Sequence, residues 1–463
     1  MKNVILYGIQ TTVDHTFSVG EDITKVAEEW EALDWSSLYD EKKDPEKRRD
    51  LAKAKAKIKA TLQSVKTSGL SRDVSIRLDD ANGDAVGFLK TARDKLCSKK
   101  YPEHLQLGGN PAISALRGWN LASGKKTDTF PHVEYVGLYH DSLANYIRDK
   151  ANDEPGLVQV FKPQNCIKVR KKPITLSAES DKKLFMEYGP GRRVEDLGGG
   201  RGADFSGYIG NLKRIFDGIA GQQKEGKLIV ALAVPFPIEK GGQLIDAIKA
   251  SSLKEHVKIF VGVSSFRDGP SLTQDREERL RLIYDKILVK ADIISCNELE
   301  LHDLHTVLVG GGKYKDIQLA LKLKELDLRA MKVCHSSEGA ILEVGTDPDA
   351  IVTSKQFTED PGKFLHETLQ LATDGATYAM DSLKAGRSAN DSMVRTYSST
   401  IKERADQTFR TTFLRTLERM PGGIVAVQAP LVAKPLAAVT GAGAMFDGLF
   451  LSYLMRTEIA ARG

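Results

Sequence analysis

Short apolar runs alternate with longer mixed stretches over the second half of the chain. Leu228-Ile-Val-Ala-Leu-Ala-Val234, Val257-Lys-Ile-Phe-Val-Gly-Val263, Asp292-Ile-Ile294 and Met331-Lys-Val-Cys334 are too short for helices, and they predict strands. Between them, Gly242 to Ser252, Gln274 to Val289 and Lys315 to Leu328 predict helices. Continuous apolar strands separated by helices imply βαβ crossovers and a parallel sheet covered on both faces. Val4-Ile-Leu-Tyr-Gly8 predicts a first strand ending on glycine, and Ile424-Val-Ala-Val427 a late one. From Pro361 to Gly386, Leu365, Leu369, Ala372, Ala376, Ala379 and Leu383 recur at helical spacing and predict a packing stripe. Residues 441–456 predict a glycine-rich turn leading into an apolar helix.

The segment 155–205 has another rhythm. Val158-Gln-Val-Phe161, Cys166-Ile-Lys-Val169 and Lys183-Leu-Phe-Met186 alternate like antiparallel strands with one solvated face. The expected fold class is therefore α/β, a doubly wound and mainly parallel sheet with a smaller β-rich lid over a cleft. On this reading residues 1–13, 105–155 and 206–463 form the large domain, and 14–104 and 156–205 the lid and insertion segments. The basic stretch from Asp40 to Lys59 predicts a helix with a solvated face or a dock for an acidic partner. It lacks the interleaved aromatics that stack nucleic-acid bases.

Composition narrows the classes. With 463 residues, 41% of them hydrophobic, the chain can bury a sizeable core. No run approaches the ~20 apolar residues of a membrane span, and the start lacks the pattern of a signal peptide. Lys+Arg 67 against Asp+Glu 62 leaves +5, which permits phosphate-bearing ligands without demanding nucleic acid. Cys97, Cys166, Cys296 and Cys334 are far apart with no C-x-x-C, which argues against a structural zinc site and a disulfide framework. The expected setting is the reducing cytoplasm, with neither membrane nor nucleic acid as partner. His302 and His305 sit three apart with no third ligand, and they read as helix-surface or capping residues.

The segment Val432-Ala-Lys-Pro-Leu-Ala-Ala-Val-Thr-Gly-Ala-Gly-Ala-Met-Phe-Asp-Gly-Leu-Phe450 carries the clearest chemistry. Gly441 and Gly443 open a helix whose first N–H groups lack partners, a ready anion site. The plainer role of such a turn is to pack a helix against a strand.

This segment resembles the C-terminal signature of the ribokinase-like (PfkB) superfamily, a glycine-any-glycine-aspartate turn. The preceding Val432-Ala-Lys-Pro435 makes it most similar to the ADP-dependent glucokinase and phosphofructokinase branch. Other matches follow in order along nearly the whole chain. Gly8-Ile-Gln-Thr-Thr-Val-Asp14 resembles the first strand with its sugar-binding Asp, and Leu107-Gly-Gly-Asn-Pro-Ala112 the sugar-binding turn. Asn297-Glu-Leu-Glu300 resembles the magnesium motif of that branch. Met186-Glu-Tyr-Gly-Pro-Gly-Arg-Arg193 lies where the family carries an acid and a phosphate-contacting arginine, and His335-Ser-Ser-Glu-Gly339 resembles the hairpin near the nucleotide.

The resemblance implies a glycolytic type of carbohydrate kinase, moving a phosphoryl group from ADP, or ATP, to a hydroxyl of a sugar or sugar phosphate with Mg²⁺. Thr12, Asp14, Gly109, Asn110 and Glu187 would hold the acceptor. Gly441, Ala442, Gly443, Ala444 and Arg193 would surround the transferred phosphate. Asn297, His335, Gly339, Val432, Lys434 and Thr440 would line the nucleotide, and Glu298 and Glu300 would serve the metal. Arg192, Arg193 and Arg201 could hold a phosphate on the acceptor. A monomer or a homodimer fits the family.

Two departures stand out. The family's catalytic Asp follows the second glycine, where this chain has Ala444. The branch's His-x-Glu pair is missing from Phe260-Val-Gly262. Phosphoryl transfer to a hydroxyl needs a proton acceptor and stabilisation of developing charge, and alanine supplies only the backbone part of the second. Loss of the base with every binding motif kept is what an engineered Asp-to-Ala change would leave. The alternatives are a pseudokinase that binds sugar or nucleotide, a nucleoside kinase, or Asp447 acting as the base.

Overall fold

The computed structural model describes residues 3–18, 72–78, 103–123, 129–169, 174–179, 183–188, 197, 204–220, 226–234, 237–263, 274–310, 322–323, 325–336, 339–344, 352, 355–382, 389–400, 425–428 and 441–457. The first half holds β1 (Val4–Gly8), β2 (Thr12–Ser18), β3 (Arg72–Leu78), β4 (Glu103–Gly108), α1 (Asn110–Ala122), β5 (His132–Tyr135), β6 (Leu138–Tyr139), α2 (Asp141–Lys150), α3 (Gly156–Val160), β7 (Ile167–Lys168), β8 (Ile174–Glu179), β9 (Lys183–Tyr188) and α4 (Ser206–Ala220). The second holds β10 (Leu228–Ala233), α5 (Ile238–Ala250), β11 (Val257–Gly262), α6 (Gln274–Lys286), β12 (Ile293–Asn297), α7 (Glu298–Leu308), β13 (Met331–His335) and β14 (Ala340–Glu343). It ends with α8 (Lys355–Glu359), α9 (Pro361–Ser382), α10 (Asp391–Thr400), β15 (Val425–Gln428) and α11 (Ala442–Leu454).

The expected α/β architecture is present. An eight-stranded sheet runs in the order β15-β14-β13-β12-β11-β10-β1-β5. From β5 to β13 every pairing is parallel, and β14 is antiparallel to both its neighbours. Alternation along β1 explains the two cores. Val4 and Leu6 join the apolar cluster that contains Leu212, Leu244, Ile283 and Leu304 of α4 to α7. Ile5 and Tyr7 face the other cluster, with Leu116 of α1, Leu365 of α9 and Phe450 of α11. A second sheet, β3-β8-β9-β2-β4, is antiparallel throughout. Among the described residues no helix is long and apolar enough to cross a membrane.

Three expectations need correction. Val158 to Phe161 is not a strand, because Val158 to Val160 lies in α3 and Phe161 ends that helix. Leu157, Val160 and Phe161 are buried while Val158 is 50% exposed. That spacing of three and four is helical, and the apparent alternation is a sample too short to tell the periods apart. Ile167–Lys168 pairs in parallel with β6, not in an antiparallel ladder. His305 is buried rather than on a helix surface, where its Nε2 meets Glu325 at 2.5 Å. The basic stretch 40–59 and most of the expected helix at 315–328 lie outside the described residues.

Helices α1 and α11 lie side by side and point the same way. Ser114 meets Ala444 and Gly448, and Gly118 meets Gly448 and Ser452, so the contacts advance together along both helices. The approach is backbone to backbone. A Cβ on Gly448 would stand 2.9 Å from the Cα of Ser114, and one on Gly118 would stand 2.9 Å from the Ser452 hydroxyl. Gly448→Ala is therefore expected to cost about 1–3 kcal/mol by overpacking. Gly210→Ala, in open space on α4, should instead gain up to about 1 kcal/mol of helix propensity. Urea-denaturation midpoints of the two variants check this opposite pair of signs.

Candidate active site

The chain leaves β1 at Gly8 and enters β2 at Thr12, and β4 returns beside it with Gly108 opposite Thr12. The Thr12 hydroxyl donates to Asp14 Oδ1 at 2.8 Å, and both residues are buried. Gly108 makes room for them. A Cβ there would collide with both Asp14 carboxylate oxygens and the Thr12 hydroxyl. Gly109 has φ 82°, a conformation open to glycine, and its back passes the Gln10 carbonyl oxygen and Thr11 Cα at a distance a Cβ would close to 3.1 Å. Asn110 then opens α1, exposed, with Pro111 beginning the first turn. Glu187 is the cross-strand partner of Asp14 from β9. The five residues expected at the acceptor thus converge where β2, β4, β9 and the start of α1 meet.

Sequence reasoning passed over two residues here. His140 caps α2, accepting from the Leu143 amide on Nδ1 at 3.4 Å, while its Nε2 lies 3.3 Å from the Thr11 carbonyl oxygen. Tyr146 is held well above the usual phenol range, chiefly by burial, with Asp14 adding to the effect and Arg117 opposing it. Neither residue sits in a recognisable pattern; only the packing of α2 on β2 brings them in.

The second set gathers at the front of α11. Gly441, with φ 81°, takes the N-cap place and offers no side-chain acceptor to the first-turn amides. His335, the last residue of β13, lies against Gly443, with its Cε1 2.6 Å from where a Cβ at 443 would stand. Its ring packs on Phe446 at 5.2 Å. Burial pushes this imidazole down to about 4, so it is neutral at pH 7. Gly339 closes the hairpin after β13: its carbonyl accepts from the Ser336 amide at 2.8 Å. The first turn of α11 is fastened to α1 by the Ser114 hydroxyl, which donates to the Ala444 carbonyl at 2.7 Å. Ser114 is one turn from Asn110, so the start of α1 and the front of α11 are neighbours.

Asn297 ends β12 in register with His335 on β13. It is the N-cap of α7, and its side chain accepts from the Glu300 amide at 2.9 Å while Glu300 accepts from the Asn297 amide at 2.8 Å. Glu298 begins the helix. Among the described residues no three metal-ligating side chains converge on one point. Glu298 is half-buried at the start of α7, and Glu300 is buried with one carboxylate oxygen on the Asn297 amide; an ion such as Mg²⁺ takes one or two carboxylates from a protein. Arg193, Val432, Lys434 and Thr440, with Arg192 and Arg201, lie outside the described residues.

Asp447 faces the sheet. Its Oδ1 accepts from the Ser295 hydroxyl of β12 at 2.5 Å, and its Oδ2 is 3.4 Å from where a Cβ on Gly262 of β11 would stand. Burial pushes its carboxyl up to about 7, and the Ser295 hydrogen bond only partly offsets this. The folded protein therefore holds this proton more tightly than the unfolded chain. The stability it lends is complete below the ordinary carboxylate range and is lost as pH rises toward 7, by at most about 1.4 kcal/mol per pH unit. In Asp447→Asn that slope should disappear, and melting curves between pH 4.5 and 7.5 read the difference.

No family model and no curated relative matches the chain by sequence. The architecture is matched by solved structures. A phosphofructokinase from Pyrococcus horikoshii OT3 with AMP aligns at TM-score 0.50 and 13% identity over 98% of both chains. A hypothetical ADP-dependent phosphofructokinase from the same organism aligns at 0.53 and 14%, again over 98% of both chains. The last common ancestor of ADP-dependent phosphofructokinases from Methanosarcinales aligns at 0.55 and 14%, over 98% of this chain and 94% of its own. The likeness shows that the chain shares the fold of these phosphofructokinases.

Proposed function

We propose that this chain, which shares the fold of the ADP-dependent phosphofructokinases, is a carbohydrate kinase whose general base is deleted at position 444. The reading places a sugar or sugar phosphate between Asp14 and Asn110, and ADP, or ATP, beside His335 and the front of α11. The observation that carries it is the parallel pair of helix N-termini, α1 and α11, joined by the Ser114–Ala444 hydrogen bond. One start offers an amide side chain beside a buried carboxylate, suited to hydroxyl groups. The other offers first-turn backbone amides with no side-chain cap among the described residues, suited to a phosphate.

In this scheme Asp14, positioned by Thr12, accepts from acceptor hydroxyl groups, and Asn110 both donates and accepts. The amides of Gly441 to Ala444 stabilise charge as it develops on the transferred group. His335, uncharged, packs beside that group without adding a cation. Mg²⁺, held by Glu298 with Glu300 beside it, supplies charge neutralisation at the phosphates when bound. A hinge between the two sheets would let the smaller one close over the acceptor and exclude water.

Ala444 itself favours a second reading, a non-catalytic protein that binds sugar or nucleotide on a kinase fold. Ala444→Asp separates the two. A kinase lacking its base should gain about 10²–10⁴ in turnover, read as phosphotransfer from ADP and from ATP to a panel of hexoses and hexose phosphates. No gain, with nucleotide binding intact, decides for the non-catalytic reading. In the restored background, Asp14→Asn should raise KM for the acceptor and leave the nucleotide KM near its starting value, because it changes one end of the site alone.

A further inference from the structure

Asp447 sits three residues behind Ala444 on α11, about 4.5 Å along the helix axis from the anion-binding turn. It is 6% exposed, wedged between the helix and the ends of β11 and β12. Among the described residues its one side-chain partner is the Ser295 hydroxyl, and no cation acts on it. A negative charge in that place would be desolvated, without a cation partner among the described residues, and one turn from the proposed phosphate. Two like charges so close in a dry site repel strongly.

We propose that the front of α11 takes up an anion together with a proton, and that Asp447 is the residue that holds the proton. The inference rests on the nucleotide reading of that turn and adds its regulation by pH. The groups that face Asp447 support it. Tyr7 of β1 keeps its proton, through burial first and the nearness of Asp447 second. Cys296 of β12 keeps its own, through its hydrogen bond with Cys334 of β13 and then burial, with Glu300 of α7 and Asp447 adding to the effect. His335 of β13 stays neutral. Helix α1 meets α11 through Ser114 and Gly118, and Gly375 of α9 meets Leu449; the buried Arg117 of α1 and Asp374 of α9 are not among the groups that shift Asp447. Among the described groups that face it, Asp447 is the one whose carboxyl is pushed up to about 7. Linkage is reciprocal: an anion on the turn raises the proton affinity of Asp447 by the factor that the proton raises anion affinity.

The test is calorimetric titration of ADP into the full chain at pH 6 and pH 8, in buffers of different ionisation enthalpy. The variants are Asp447→Asn, which keeps the neutral shape, and Ser295→Ala, which removes the bond favouring the ionised form. ADP should bind the parent chain about tenfold more weakly at pH 8 than it binds Asp447→Asn, with the two nearly equal at pH 6. The parent should take up a proton near pH 7.5 that Asp447→Asn does not, and the nucleotide's own titration cancels between the two chains. Ser295→Ala should move the transition to higher pH, which decides the matter if Asp447→Asn does not fold. The same pH dependence in parent and Asp447→Asn, or an unmoved transition in Ser295→Ala, overturns the coupling while the nucleotide reading stands. Failure of ADP to bind the parent at any pH overturns both.

Discussion

The close parallel contact between α1 and α11 is the constraint on which the candidate site depends. Two helices approach this closely only where side chains are small, and here the contact is built from Ser114, Gly118, Gly448 and Ser452. Because the helices run the same way, their positive ends emerge at the same edge of the sheet. One end carries Asn110 and the other the Gly441–Ala444 turn. The Ser114 hydroxyl satisfies the carbonyl of Ala444 across the seam, so the two starts cannot slide independently. The polar groups around them are then placed by the strands that end beneath: Asp14 by β2, Asn297 by β12 and His335 by β13.

Buried acids in this protein divide by what they are given as partners. Glu134 on the edge strand β5 is buried, which by itself raises its pKa. Hydrogen bonds from His132 and Lys162 outweigh that cost and hold it below the usual range. Asn165 adds a third donor. Lys332 is treated likewise: its Nζ donates to the carbonyls of Leu326 and Leu328 and pairs with Glu343 at 2.8 Å. Such satisfied charges fasten strands and loops. Asp447, equally buried, has one hydroxyl, and its proton is retained into the neutral range. A charge-bearing residue left short of partners beside a ligand-binding turn is where chemistry or control is to be sought.

Alanine at position 444 bears on the charge balance of the helix start more than on its shape. Ala444 keeps the backbone amide and carbonyl of the turn, so the helix start and its tie to α1 survive. An alanine there places no negative group at the mouth of the helix dipole and has no side-chain atom that can accept a proton.

The sequence by itself determined most of the strands of the large sheet and the alternation of strands with helices, and it located the glycine turns. β10, β11 and β13 fall within a residue or so of their apolar runs, and the late glycine turn opens α11 as expected. β-Branched runs and glycines act through local sterics, so their effect is legible in a window of ten residues. The residues proposed for the acceptor stand out for the same reason, as a carboxylate after a strand and a Gly-Gly-Asn turn before a helix. The four-residue stretch at Val158 was misread because two periods fit so few positions. The burial of His305, the approach of His140 and Tyr146 to β2, and the inward aim of Asp447 at Ser295 were decided by the tertiary structure alone. Each depends on which face of one element meets another more than a hundred residues away, or across a loop whose path no local rule dictates. Periodicity tells a helix which side is apolar, but not which neighbour will cover it, and the protonation of a buried acid is set by that neighbour.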